Sequence, residues 1–229
     1  MKLIFLNALS GKVRDALGQF LQDQSPHTDI FCFQEADGEM KSLAKGCFAD
    51  YQEIAAYKYL TEDDNFPQAI FIKNHIPLGD SRAILEKEPG VGLGLYVQVI
   101  LGKQVVHIGN FHGVSRPGEK LDDPVRLRQS RRLLEFFEDK AGPKIIGGDF
   151  NLLPETQSIV MFEARGYRDL IKEFRIETTR NRLAWEAHPN SKQYFSDYVF
   201  VSPEVKLKGF SVPNLEVSDH LPLLLEIEP

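Results

Sequence analysis

The chain has only two cysteines and fewer basic than acidic residues, and each of these features argues against a class of protein. Its two cysteines, Cys32 and Cys47, are too few for a disulfide framework or a cysteine-based zinc site. Cys32 lies in the apolar run DIFCFQE, which predicts a buried free thiol. The net charge of −6 gives no bulk basic surface, which weighs against non-specific binding to duplex nucleic acid.

Long hydrophobic runs are also missing. The first residues, MKLIFLNALSGK, hold an apolar stretch that is too short for a signal-peptide core or a membrane span. We therefore expect a protein without a membrane span in a reducing, cytoplasmic setting.

The remaining composition is that of a globular protein, with 42% hydrophobic and 26% charged residues. Strand-like apolar runs alternate with segments of helical spacing, such as GKVRDALGQFLQDQ and residues 38–48. In DDPVRLRQSRRLLEFFEDKAG, Asp123 suits an N-cap and Pro124 the first helical position. Without repeats or a linker, this order predicts one α/β domain over residues 1–229, with mixed sheets and helices outside.

Polar residues end many of the strand-like runs. They are Asn7, Glu35, His112, Asp149 with Asn151, Asp197, and Asp219 with His220. Any one of them is ordinary, because chains reach the surface where strands end. Their recurrence favours a shared site, since strand ends at one edge of a sheet converge and ligands bind at such edges.

The chemistry of this set is coherent. Glu35, Asn7 and Asp219 offer hard oxygen donors, which suit Mg²⁺ or Mn²⁺, whereas zinc would need a denser set of histidines and cysteines. Asp149 and Asn151 are two positions apart and point the same way on an extended backbone. Such groups together with a histidine are equipped to hydrolyse a phosphate ester with water.

Six motifs resemble those of the endonuclease/exonuclease/phosphatase superfamily, which contains DNase I-like and exonuclease III-like enzymes. They are LN at 6–7, QE at 34–35, NFHG at 110–113, GGDFN at 147–151, SDYVFVS at 196–202 and SDHLPL at 218–223. They follow the family's order, and GDFN followed by SDH is a specific pair. The resemblance implies a four-layer α/β/β/α sandwich with two mixed sheets packed face to face and helices outside.

The resemblance also implies a magnesium cofactor, with manganese as a substitute. Glu35 matches the principal metal ligand, and Asn7 and Asp219 lie beside it in the family's pattern.

The remaining motif residues match the family's catalytic groups. Asp149 would orient or deprotonate the attacking water, and Asn151 would hold a phosphate oxygen. His220 would stabilise the transition state, with Asp197 orienting a histidine. His112 would act as a general acid or donate to a phosphate oxygen.

Substrate contacts are expected from the polar segment 178–197, which holds Arg180, Arg182 and Trp185. Arginine suits phosphate recognition and tryptophan offers a stacking face for a base, although simple loop packing explains the segment equally well. Arg116 and Lys120, which follow His112 closely, are further candidates, though SRPGEK is also typical of a plain surface turn.

We expect a phosphodiesterase that cleaves its substrate by Mg²⁺-assisted in-line attack of water. The substrate is a nucleic acid or a smaller phosphodiester. Because the chain is short and acidic and has no long inserted loop, single-stranded or short nucleic acid is expected rather than long duplex. Two alternatives are a phosphomonoesterase acting on a sugar or lipid headgroup, and a non-catalytic binding or scaffold protein on the same fold. No protein partner can be inferred.

Overall fold

The computed structural model describes residues 1–60, 65–115 and 119–228. The strands are β1 (Lys2–Asn7), β2 (Ile30–Gln34), β3 (Tyr51–Ala56), β4 (Gln68–Lys73), β5 (Leu78–Ile84), β6 (Leu93–Leu101), β7 (Gln104–His112), β8 (Lys144–Asp149), β9 (Arg168–Asp169), β10 (Asp197–Val201), β11 (Leu207–Ser211) and β12 (Leu223–Ile227). The α-helices are α1 (Arg14–Gln24), α2 (Glu39–Cys47), α3 (Pro124–Glu138), α4 (Gln157–Ala164), α5 (Leu170–Glu173) and α6 (Arg182–Ala187).

These strands form two six-stranded mixed sheets. The first has the order β11-β12-β1-β2-β4-β3, and the second has the order β5-β6-β7-β8-β10-β9. The neighbours β1 and β2 are parallel, as are β7 and β8, whereas the other neighbouring strands are antiparallel. Each sheet therefore has one parallel pair near its centre, whose carboxyl ends lie side by side.

The main hydrophobic core lies between the sheets. Phe5 and Ile70 of the first sheet belong to the same buried cluster as Ile108 and Ile146 of the second. A second cluster packs α1 and α2 on the outer face of the first sheet, and Phe137 of α3 joins the main cluster from the other side. The predicted four-layer sandwich is confirmed.

Gly147 of β8 lies where the two sheets approach each other. A Cβ atom at this position would lie 2.9 Å from ring atoms of Phe5 in β1. Only glycine leaves room for that ring, so this contact fixes the spacing of the sheets beside the carboxyl end of β8.

Side-chain caps start three of the helices, α3, α5 and α6. As predicted, α3 begins at Pro124, and Asp123 Oδ1 accepts from Val125 N at 2.7 Å. Segment 178–197 is less simple than expected, because it contains α6, whose cap Asn181 accepts from Leu183 N at 3.0 Å. Among the described residues, none of the helices combines the length and apolarity needed to cross a bilayer.

Candidate active site

Strand register brings most of the predicted site residues to one edge of the molecule. His112 is paired with Asp149 across β7 and β8, and Asp149 is paired with Asp197 across β8 and β10. In the other sheet, Asn7 ends β1, and Glu35 directly follows β2. The carboxyl ends of both parallel pairs thus contribute to one site.

Asn7 links the two sheets by hydrogen bonds to two acids. Its Nδ2 donates to Glu35 Oε1 at 3.0 Å and to Asp149 Oδ2 at 3.1 Å. Its side-chain oxygen accepts from Leu9 N at 3.1 Å. In this arrangement Asn7 presents N–H groups to the carboxylates and holds them together.

The two oxygens of Asp149 have different surroundings. Oδ1 accepts from Ser196 Oγ at 2.5 Å and from Asn151 N at 2.9 Å. Oδ2 faces His220 Nε2 at 3.6 Å and His112 Nε2 at 3.8 Å. Oδ1 is therefore fixed by two donors, whereas Oδ2 accepts from Asn7 and faces both histidines.

His220 is held between a carboxylate and a guanidinium. Its Nδ1 lies 2.9 Å from both oxygens of Asp197, and Arg180 Nη1 contacts its Nε2. The same guanidinium donates to Asp219 Oδ2 at 2.7 Å. Because arginine can only donate, a hydrogen bond from Arg180 to Nε2 pairs with the neutral imidazole whose proton is on Nδ1, facing Asp197.

Two residues of the site have an unusual backbone conformation. Glu35 has φ 49° and Asn151 has φ 55°, which is the left-handed region that side chains other than glycine rarely adopt. Gly148 has φ 129°, and a Cβ there would lie 2.1 Å from Phe111 O. Such strain persists where surrounding contacts over-determine the backbone, and it is common at functional sites.

The charges of the site shift the pKa values of its acid and its base. Burial would raise the pKa of Asp149, but His220, Lys120 and His112 hold it well below its ordinary value. For His220, burial and Arg180 lower the pKa, but Asp197 and two further carboxylates raise it above its ordinary value. Asp149 is thus an ionised carboxylate, which is suited to orienting water. His220 binds a second proton more readily than an ordinary histidine does.

Lys120 belongs to this site, although no motif predicted it. Its Nζ donates to Ser196 Oγ at 2.5 Å. Burial lowers the pKa of Lys120 to about 8, although Asp149 acts in the opposite direction. The only signal in the sequence was its closeness to His112, within a stretch that is equally typical of a surface turn.

The site suits a cation. Counted over the described residues, four carboxylates (Glu35, Asp149, Asp197, Asp219) against two cations (Lys120, Arg180) leave a net charge of −2 with neutral histidines. Ligand atoms of Asp149, Asp197 and His220 also lie within 4.8 Å of one another, close enough to hold a metal ion. Since both oxygens of Asp197 are paired with His220 and both oxygens of Asp149 accept hydrogen bonds, the partly exposed Glu35 offers the more accessible oxygens.

Nine of the predicted site residues come together in this way: Asn7, Glu35, His112, Asp149, Asn151, Arg180, Asp197, Asp219 and His220. Arg182 is bound instead to Glu186 and Glu216 at 2.7 Å. Trp185 Nε1 donates to Gln193 O at 3.0 Å, and its ring packs on Tyr194. Their substrate contacts stay predictions, and Arg116 lies outside the described residues.

The model of the endonuclease/exonuclease/phosphatase family matches residues 5–220. The chain belongs to this family. Hydrolysis of phosphoester bonds is the chemistry of the family, whose members include phosphodiesterases and phosphatases. A comparison with the sequences of curated proteins finds no match.

Solved structures of endonuclease/exonuclease/phosphatase proteins share the fold of this family member. An endonuclease/exonuclease/phosphatase from Bacteroides vulgatus has 17% identity and a TM-score of 0.77, covering 99% of this chain and 98% of its own. TDP2 from D. rerio, complexed with a single-strand DNA product, has 16% identity and a TM-score of 0.75, with 100% and 99% covered. The mannosyl-6-phosphatase Bt3783 from Bacteroides thetaiotaomicron has 19% identity and a TM-score of 0.70, with 100% and 99% covered.

Proposed function

We propose that this chain is a Mg²⁺-dependent phosphodiesterase that hydrolyses its substrate by in-line attack of water. The observation that carries the proposal is the position of Asp149. It is linked through Asn7 to Glu35 on one side and faces Nε2 of His220 on the other. Acid, amide and histidine thus surround the space that a phosphate would occupy, which is what attack on phosphorus requires.

Glu35 is the main proposed ligand of the divalent ion, with Asn7 and Asp219 beside it. The net charge of −2 fits one Mg²⁺ or Mn²⁺ ion, and oxygen donors suit both. The side-chain oxygen of Asn7 already accepts from Leu9 N, and Asp219 is ion-paired with Arg180. Glu35 therefore has the oxygens with the fewest other partners. When bound, the ion would neutralise charge on the phosphoryl oxygens and favour ionised water.

The other side chains of the site would orient the attacking water and donate hydrogen bonds to the phosphate. The Oδ2 oxygen of Asp149 would orient the attacking water. Arg180 would move from Nε2 of His220 to a phosphate oxygen. Nε2 would then take up a proton, and the resulting imidazolium, held by Asp197 at Nδ1, would donate to the developing charge. Asn151 and His112 would supply further N–H donors to the phosphate.

A phosphomonoesterase is the second candidate. Lys120 and Arg180 place two cationic side chains at the site, which suits a doubly charged phosphomonoester. The mannosyl-6-phosphatase Bt3783 shares the fold, so the same scaffold carries such an enzyme. A sugar phosphate is therefore the first monoester to test.

A panel of substrates separates these possibilities. Bis-p-nitrophenyl phosphate, p-nitrophenyl phosphate, a single-stranded oligonucleotide and mannose 6-phosphate would be incubated with Mg²⁺, Mn²⁺ or EDTA. We expect metal-dependent turnover of the diesters, with Asp149→Asn as the blank. Faster turnover of the monoesters would favour the second candidate. No turnover of any substrate would reject both, and would favour a binding protein on this fold.

Substitution of His220 tests the assignment of the site. His220→Ala should lower kcat by about a hundredfold or more, the scale for losing one acid–base or electrostatic group. The matched control is His107→Ala, which removes a buried histidine at the other end of β7, bonded to Tyr96 and to Ala141 O. Equal losses in the two variants would show that only stability had changed.

A further inference from the structure

Three side chains form a line of hydrogen bonds within the site. Lys120 Nζ donates to Ser196 Oγ at 2.5 Å, and Ser196 Oγ donates to Asp149 Oδ1 at 2.5 Å. Ser196 has no exposed surface, and Asp149 is 2% exposed.

The direction of these hydrogen bonds is fixed by chemistry. An ammonium group has no acceptor, so Lys120 must donate to the lone pair of Ser196. The single hydroxyl proton of Ser196 is then available for Asp149 Oδ1. A positive charge at one end polarises the hydroxyl and strengthens the bond to the carboxylate at the other.

The backbones of Lys120 and Ser196 are both anchored by hydrogen bonds. The carbonyl oxygen of Lys120 accepts from Leu153 N at 2.9 Å, just after the GDFN motif. Ser196 O accepts from Phe150 N at 2.8 Å, and Ser196 N donates to Thr179 Oγ1 at 3.0 Å. The lysine and the serine are therefore held against the same turn that carries Asp149.

We infer that Lys120 is a positioning residue that acts through Ser196 to fix which oxygen of Asp149 faces the attacking water. Oδ1 receives the hydroxyl of Ser196 and the backbone N–H of Asn151, so the carboxylate cannot rotate without losing both. Oδ2 then remains on the side of the histidines. This inference rests on the proposed hydrolysis and extends it to two residues outside the assigned set.

A double-mutant cycle tests the inference. Lys120→Met and Ser196→Ala should each lower kcat about tenfold to a hundredfold, the scale of a hydrogen bond to a charged group. KM should stay within about threefold, because neither side chain contacts the substrate in this role. The double variant should be no slower than the slower single variant, because both changes break one line.

Two outcomes of the cycle would overturn the inference. If the losses in kcat multiply in the double variant, the two residues act independently. If KM rises only in Lys120→Met, the lysine binds the substrate itself. Controls are Ser202→Ala, a buried serine at the other end of β10, and Lys208→Met on β11, whose activities should match the wild type.

A measurement without substrate separates this inference from the proposed function. In ¹⁵N spectra of lysine side chains, the Lys120 ammonium should give a protected signal that is missing from Lys120→Met. Ser196→Ala should remove the protection, and Asp149→Asn should lower the titration midpoint, since a neighbouring negative charge is lost. An unchanged signal in Ser196→Ala would overturn the inference even if no phosphoester is hydrolysed, whereas an inactive wild type rejects only the proposed function.

Discussion

At the scale of single residues, Asp197 decides which nitrogen His220 presents to the site. Both oxygens of Asp197 lie 2.9 Å from Nδ1, which keeps the proton there and leaves Nε2 towards Asp149. An amide at position 197 would offer N–H as well as oxygen, and so would allow the wrong tautomer.

Asp197→Asn should therefore lower kcat about a hundredfold or more with little change in KM. The measurement is kcat at saturating Mg²⁺, with Asp169→Asn as a control that changes a buried aspartate elsewhere. A loss of less than about threefold would show that Asp197 does not set the tautomer.

Asp169 carries a prediction about pH. It caps α5 by accepting from Ile171 N at 2.9 Å, and burial raises its pKa from 3.8 to about 6. A raised pKa means that the folded state binds the proton more tightly. Its contribution to stability is therefore complete below pH 3.8 and is lost as the pH rises towards about 6.

Asp169→Asn keeps an oxygen for the cap and removes the titration. Urea unfolding at pH 4.5 and pH 7 should show that the wild type loses stability relative to the variant at the higher pH. A difference that stays constant between these pH values would exclude Asp169 as the titrating group.

Some features of the site could be predicted from the sequence, and others could not. Glu35, Asp149 and His220 lie in short motifs at strand ends, so both their identity and their convergence could be anticipated. The contact between Lys120 and Ser196 could not, because it joins residues that are distant in the chain and depends on how Lys120 packs beside the start of β10.

At the scale of elements, Gly148 and Gly46 differ in whether a side chain could replace the glycine. Gly148 in β8 has φ 129°, and a Cβ would lie 2.1 Å from Phe111 O. Gly46 in α2 has nothing within 4 Å of a Cβ and no unusual φ. One position requires glycine, and the other only tolerates it.

Gly46→Ala should raise the free energy of unfolding by about 0.5–1 kcal/mol, because alanine has the higher helix propensity. Gly148→Ala should lower it by about 3 kcal/mol or more, since the Cβ would clash with a neighbouring strand. Urea unfolding measures both, and a similar effect in the two variants would contradict the strand geometry at Gly148.

Long elements were predictable and short ones were not. The buried strands have continuous apolar runs, and α3 has both a cap and a proline at its start. Helix α6 has six residues in a polar segment, where Asn181 was the available signal. Its local pattern is too weak to distinguish a capped turn of helix from a loop.

At the scale of the whole molecule, the concentration of acids in one place links metal binding to stability. Without a cation, repulsion among the carboxylates at the net charge of −2 opposes folding. A cation that binds only the folded state stabilises it by about 2.7 kcal/mol at a hundredfold excess over its Kd.

Mg²⁺ should therefore raise the Tm of the wild type relative to EDTA. Glu35→Gln should lose most of this increase, and in EDTA it should melt above the wild type because one negative charge is gone. Differential scanning calorimetry measures both. An unchanged Mg²⁺ response in Glu35→Gln would exclude Glu35 as the main ligand.

The four-layer arrangement was predicted from the family's motifs rather than from hydrophobic patterns. Patterns alone indicated a mixed α/β protein. They do not reveal that β1 lies between β12 and β2, because that pairing joins opposite ends of the chain. Such non-local order depends on the packing of the complete sheets.

The contact between Gly147 and Phe5 affects how the site residues of the two sheets are aligned. Glu35 and Asn7 are carried by one sheet, whereas Asp149 and Asp197 are carried by the other, so the candidate active site spans both sheets. A single methyl group at position 147 would act as a wedge between them. The distance between the two halves of the site thus depends on a phenyl ring and a missing side chain, neither of which belongs to the site.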